Sequence, residues 1–155
     1  MKIFNQKQLA ITLLVVLAVP FPLFSVLLLA GGGDSSLPVA PVIALHSYGV
    51  LVASFFAGIQ WGVHFCKRTE DSVYLLSFFT LVLAWISLLS PGTMVGLGVV
   101  LAAFVLSWIE EFRLSRQRVT TAWFWQVRCI STVLIILSLA LTIAVIALSA
   151  APAVI

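Results

Sequence analysis

Residues 127–150, VRCISTVLIILSLALTIAVIALSA, are almost entirely hydrocarbon. About 20 apolar residues, rising 1.5 Å each, cross the roughly 30 Å hydrocarbon layer of a bilayer. This stretch is that long, and it lacks the regular alternation of a barrel strand. It reads as a transmembrane helix. Working outward from it, four further apolar segments stand out, at about Leu9–Ala30, Val42–Cys66, Ser72–Ser90 and Met94–Ile109. The composition agrees, with 63% hydrophobic and only 8% charged residues and a mean hydropathy of +1.23, against about 25% charged residues in soluble proteins. The expectation is an all-α polytopic integral membrane protein, a single domain over residues 1–155 built from five transmembrane helices.

The connections between segments set the orientation. Lys2 and Lys7 precede the first segment, Lys67 and Arg68 follow the second, and Arg113, Arg116, Arg118 and Arg128 lie between the fourth and fifth. The stretches at 31–41 and 91–93 and the tail APAVI carry no Lys or Arg. With five spans all eight basic residues fall on one side, which the positive-inside rule makes cytoplasmic, leaving the C-terminus periplasmic. Trp61, Trp108, Trp123 and Trp125 fall at the same interface and Trp85 toward the other, as amphipathic rings prefer. The net charge of +3 therefore reads as membrane orientation with attraction to anionic lipid at the cytoplasmic face, not as a nucleic-acid surface.

The N-terminal segment has the charged start of a signal peptide, but its apolar run is long and Leu28 stands where a cleavage site wants a small residue. A retained anchor is expected, in a bacterial inner membrane, since no Arg-rich, Ser-rich transit segment precedes it. Pro20 and Pro22 fall near the middle of this segment. Each removes a backbone donor and crowds the preceding turn, so a kink is expected around Val16–Val19. Pro91 and Gly92 read as a tight turn.

The second segment contains SFFAGIQWGVHFCKR, residues 54–68. Ser54, Gly58 and Gly62 recur every fourth residue, as do Gly49, Ala53 and Ala57, giving two small-residue ridges suited to close helix packing in lipid. Gln60 and His64 share a face. They are either a ligand-binding or proton-handling pair, or an interhelical hydrogen bond beside an interfacial histidine. His46 reads as interfacial. Cys66 and Cys129 are expected as free thiols in a reducing compartment. His64 and Cys66 point to nearly opposite faces and no C-x-x-C or H-x-x-x-H occurs, so neither a metal nor any other cofactor is expected.

No Asp, Glu, Lys or Arg is placed well inside a span by this division, which disfavours a pump. No Ser/His/Asp set, P-loop or H-E-x-x-H appears. The remaining candidates border the cytoplasmic face: Glu110, free to pair with Arg113 at i, i+3, together with Trp61, His64, Trp123 and Arg128, as the floor of a shallow pocket or as plain membrane anchors.

Three stretches carry a family resemblance. YGVLVASFFAGIQWG at 48–62 resembles the Y-G-A-x-x-L-S-F-L-G-G-x-x-W-G signature of the DUF3429 family, which includes the eukaryotic transmembrane protein 69 group. AWISLLSPG at 84–92 looks like its third span and outer turn. AWFWQVRCIST at 122–132 is similar to its P-x-W-Y-x-x-L-R-x-x-x-T element, matching at Trp123, Arg128 and Thr132, and VPFP in the first segment is similar to its I-P-F. Phe124 replaces the tyrosine, Thr121 or Ala122 the proline, and Gln60 falls at a variable site. The resemblance implies a small polytopic membrane protein and carries over no catalytic residue.

The leading functional expectation is an accessory or assembly subunit of a membrane complex, acting by association with a membrane-protein partner or with itself. The alternatives are a carrier or pore for a small neutral or lipidic solute, using the broken first span with Gln60 and His64, and an interfacial enzyme on lipid or quinone, using His64, Glu110 and Arg128.

Overall fold

The computed structural model describes residues 6–31, 41–67 and 71–150. Arg68, most of the 31–41 connection and the tail lie outside them. The described residues form six helices: α1 (Gln6–Ala18), α2 (Pro20–Gly31), α3 (Pro41–Lys67), α4 (Asp71–Ser87), α5 (Met94–Arg116) and α6 (Ala122–Ala150). Four helical segments are long and apolar enough to cross a membrane, namely Lys7–Ala30, Pro41–Lys67, Met94–Arg116 and Ala122–Leu148, and a shorter apolar helix covers Tyr74–Ser87. The chain is an all-α polytopic membrane protein.

The first segment is two helices because Pro20 and Pro22 cannot donate to the carbonyls of Val16 and Ala18. α1 ends at Ala18, Val19 forms the turn, and α2 begins at Pro20. The break is held from outside: the Tyr48 hydroxyl of α3 donates to the Leu17 carbonyl at 2.9 Å. Further along α2, the Ser25 hydroxyl lies 3.0 Å from both the Ser138 carbonyl and the Thr142 hydroxyl of α6.

Gly92 adopts φ 70°, the left-handed conformation that glycine takes without penalty, so the 88–93 connection turns sharply. Thr93 then caps α5 by accepting from the Gly96 amide at 3.0 Å. A Cβ at Gly96 would overlap the Ser90 carbonyl oxygen and lie 3.1 Å from His46 Nε2. His46 is fully buried against this turn.

The largest correction concerns the fourth segment. The apolar run stops near Ile109, but the helix continues to Arg116, and α6 starts at Ala122 rather than Val127. Polar residues ended the hydropathy signal without ending the helix. The α5–α6 connection is consequently only residues 117–121, closed by Arg118 N donating to Ser115 O at 3.0 Å and Val119 N to Leu114 O at 3.2 Å. Those two bonds form a Schellman termination with Arg118 in the left-handed position, φ 55°.

Bundle contacts alternate the helices up and down. Lys7 lies over the Trp123 ring at 5.7 Å, joining the starts of α1 and α6. Gln60 on α3, Ser77 on α4, Ser107 on α5 and Arg128 on α6 meet at that same end. At mid-height Phe21, Phe56 and Phe104 from α2, α3 and α5 interlock edge to face, with centroids 5.7 and 6.1 Å apart.

Candidate functional site

Stripes of four helices, α3, α4, α5 and α6, converge just inside the basic end. On α5 the buried residues are Gly96, Leu97, Val100, Ala103, Phe104, Ser107, Glu110, Glu111 and Leu114, a run at spacings of three and four that marks one helix face. Glu110 and Glu111 belong to this stripe. On α6 Arg128, Ser131, Thr132, Ile135, Ser138, Leu139 and Thr142 are buried at the same spacing. The α5 stripe carries its charges near its end and the α6 stripe at its start, and these charges meet.

Consecutive residues on a helix diverge by about 100°, so the two glutamates address different neighbours. Glu110 turns to α4, where its Oε1 accepts from the Ser77 hydroxyl at 2.7 Å. Glu111 turns to α6, where its Oε1 accepts from Arg128 Nε at 2.7 Å. The Arg128 guanidinium also stacks on the Phe56 ring, 3.4 Å from its centroid. From α3, Gln60 Nε2 donates to the Ser107 carbonyl at 2.9 Å and lies 3.2 Å from its hydroxyl. All four charged or amide side chains are closed off: Arg128 and Glu110 are 0% exposed, Gln60 2% and Glu111 3%.

Several atoms in this layer have no hydrogen-bond partner among the described residues. They are Oε2 of Glu110, Oε2 of Glu111, Oε1 of Gln60, and both terminal nitrogens of Arg128. Buried polar atoms are ordinarily satisfied, and in a bilayer an unmet one costs several kcal/mol. A layer holding five such atoms is poised to take up something that both donates and accepts.

The structure brings some of the expected site residues together and separates others. Gln60, Glu110 and Arg128 share the buried layer. Glu110 and Arg128 are therefore not on an open interface, and Glu110 pairs with Ser77 while Arg113 is exposed. Trp61 and His64 form a separate aromatic group on α4's Tyr74, at 4.8 and 5.1 Å between ring centroids. Trp123 packs under Lys7 at the mouth of α6. Of the two small-residue ridges, Gly49, Ala53 and Ala57 are buried, and Val100 Cγ1 sits 3.0 Å from where a Gly49 Cβ would be. Ser54 lies on the flank, and Gly58 and Gly62 face outward with nothing within 4 Å of an added Cβ. Pro20 and Pro22 lie at the start of α2 beside a laterally open apolar cleft of about 380 Å³, lined by α1, α3 and the Phe124 side chain of α6.

Ser77 and Phe56 were not picked out by sequence, and Glu111 was read only as the polar end of the fourth segment. The period of α5 carried the signal, because continuing the 96, 100, 103, 107 stripe past the apolar run lands on Glu110, Glu111 and Leu114.

A kinked all-helical membrane bundle with a charged layer closed inside one end is the class these observations define. The chain belongs to the family described as "Protein of unknown function (DUF3429)", whose model matches residues 6–144. Comparison with curated proteins and with solved structures returns no match.

Proposed function

We propose that the protein works by lateral association in the bilayer, as an accessory or assembly subunit of a membrane complex or as a self-associating unit. The observation that carries this reading is the outward flank of α3. A glycine inside a helix costs about 1 kcal/mol relative to alanine, and Gly58 and Gly62 take up that cost although no other helix among the described residues comes within 4 Å of a Cβ at either position. Close approach of a second helix gives the missing reason, since small residues at four-residue spacing let backbones meet in lipid. Ser54 extends the same groove by one turn. In this reading α4 is the fifth span, the basic end faces the cytoplasm where Lys67, Arg113 and Arg116 meet anionic lipid, and the membrane is the bacterial inner one.

The test is crosslinking mass spectrometry on native membranes with wild type and Gly58→Leu/Gly62→Leu. A specific membrane-protein or self crosslink near α3, lost in the double variant while the chain stays folded, is the expected result. Recovery of the lone chain from wild-type membranes would overturn it.

The apolar cleft favours a second reading, a carrier for a lipidic solute. Tyr48 already occupies the Leu17 carbonyl at the helix break, so the cleft offers an oily surface and suits an apolar guest. Flux of a lipidic probe in reconstituted vesicles, abolished by Leu13→Trp within the cleft, would support it; absence of flux counts against it.

A further inference from the structure

We propose that Glu110, Glu111 and Arg128 form a binding site for one exchangeable proton, shared by the two carboxyls and balanced by the guanidinium. This inference is independent of lateral association and of solute carriage. It rests on charge, burial and unmet hydrogen-bonding capacity at one place. Two carboxylates and one guanidinium sum to a single negative charge, and all three side chains are sealed from solvent within helices of a membrane bundle. An isolated net charge in such surroundings is strongly disfavoured. One proton makes the trio neutral.

The atoms available fit that guest. Oε2 of each glutamate is unpartnered, and so is Oε1 of Gln60 on the facing helix. A proton taken up at either Oε2 turns an acceptor into a donor within a layer that has three unmet acceptor oxygens. The proton comes from a hydronium ion: one O–H bond of hydronium breaks, one forms at Oε2, and a water molecule is released. Arg128 is fixed by its Nε bond to Glu111 and by the Phe56 ring, so it supplies a constant positive charge while its NH1 and NH2 remain unmatched.

Among the described residues, neighbouring elements bring no second charged group into the layer: Arg113 is exposed and Lys7 lies over the Trp123 ring. α4 presents Ser77 to Glu110, and its titratable Tyr74 packs on Trp61 and His64. α3 presents Gln60, with His64 a turn away on the Tyr74 ring. α6 presents Arg128, and its Cys129 accepts from Trp108 Nε1 at 3.4 Å. The balance is thus set by the three named groups.

Infrared spectroscopy of the full chain in lipid vesicles near neutral pH reads this directly, because the chain has only five acidic side chains. The wild type is expected to show the carbonyl band of one protonated carboxyl, shifting on transfer to deuterated water. Charge balance makes an unusual set of demands on variants. Glu110→Gln and Glu111→Gln should each abolish the band, since either leaves one carboxylate facing one guanidinium. Arg128→Gln should double it. A site held together by packing alone would not give opposite responses to removing the acids and removing the base. Absence of the band in the wild type, failure to shift in deuterated water, or a band indifferent to both glutamine variants would each overturn the proposal. The wild-type spectrum decides even if a variant does not fold.

Discussion

Arg128 is the largest fully buried side chain among the described residues, and its ion pair with Glu111 makes a sharp demand on mutagenesis. Removing one member of a buried pair strands the other charge, costing about 3–5 kcal/mol, whereas replacing both with apolar groups of similar volume is often neutral. Arg128→Met is expected to destabilise by about that amount, Glu111→Leu by less because the Glu110 carboxylate still balances the guanidinium, and the double variant to recover most of the Arg128→Met loss. Reversible unfolding of all four proteins in mixed micelles measures the cycle. Glycines divide just as sharply. Gly96→Ala must displace the Ser90 carbonyl and should cost about 3 kcal/mol, while Gly58→Ala should not lower the stability of the isolated chain, a contrast the same unfolding assay reports. Arg118 occupies left-handed backbone at φ 55°, so Arg118→Gly should raise stability by about 1 kcal/mol. Little of this was legible beforehand. Gln60 and Arg128 were visible as polar residues in apolar company, but composition says nothing about which neighbour a side chain meets, and Glu110 was matched to Arg113 by spacing when burial gave it Ser77.

Among the elements, the first span and α5 show opposite limits of hydropathy. Two prolines announce the break between α1 and α2, since the missing N–H groups act locally whatever the surroundings. The end of α5 was obscured because Glu110, Glu111, Arg113 and Arg116 dilute the apolar signal although the helix and its buried stripe continue. A stripe is a statement about direction, and direction survives where average hydropathy does not. Tyr48 ties α3 to the broken span through its bond to the Leu17 carbonyl, and losing its hydroxyl removes that tie. Tyr48→Phe should therefore cost about 1 kcal/mol, and hydrogen exchange should quicken in the turn around Val19 and the start of α2 while α5 is unaffected. Unchanged exchange there would show that the break is self-supporting.

Taken as a whole, the molecule collects its described cations at one end: Lys7 at the start of α1, Lys67 at the end of α3, Arg113 and Arg116 at the end of α5, and Arg118 just beyond. The contacts among Lys7, Gln60, Ser77 and Arg128 tie those ends together. The helical membrane class was readable from hydrocarbon runs alone, because bilayer thickness imposes their length. In the proposed orientation the positive-inside rule gives the basic end to the cytoplasm, and the sidedness of the buried layer and of the proposed lipid contacts and association flank depends on it. Paired fusions of a cytoplasmically fluorescent reporter and a periplasmically active phosphatase, placed after Gln117 and after Ile155, measure this most directly. The account predicts fluorescence without phosphatase activity at Gln117 and phosphatase activity without fluorescence at Ile155; the reverse pattern, or the same reporter active at both positions, would contradict it.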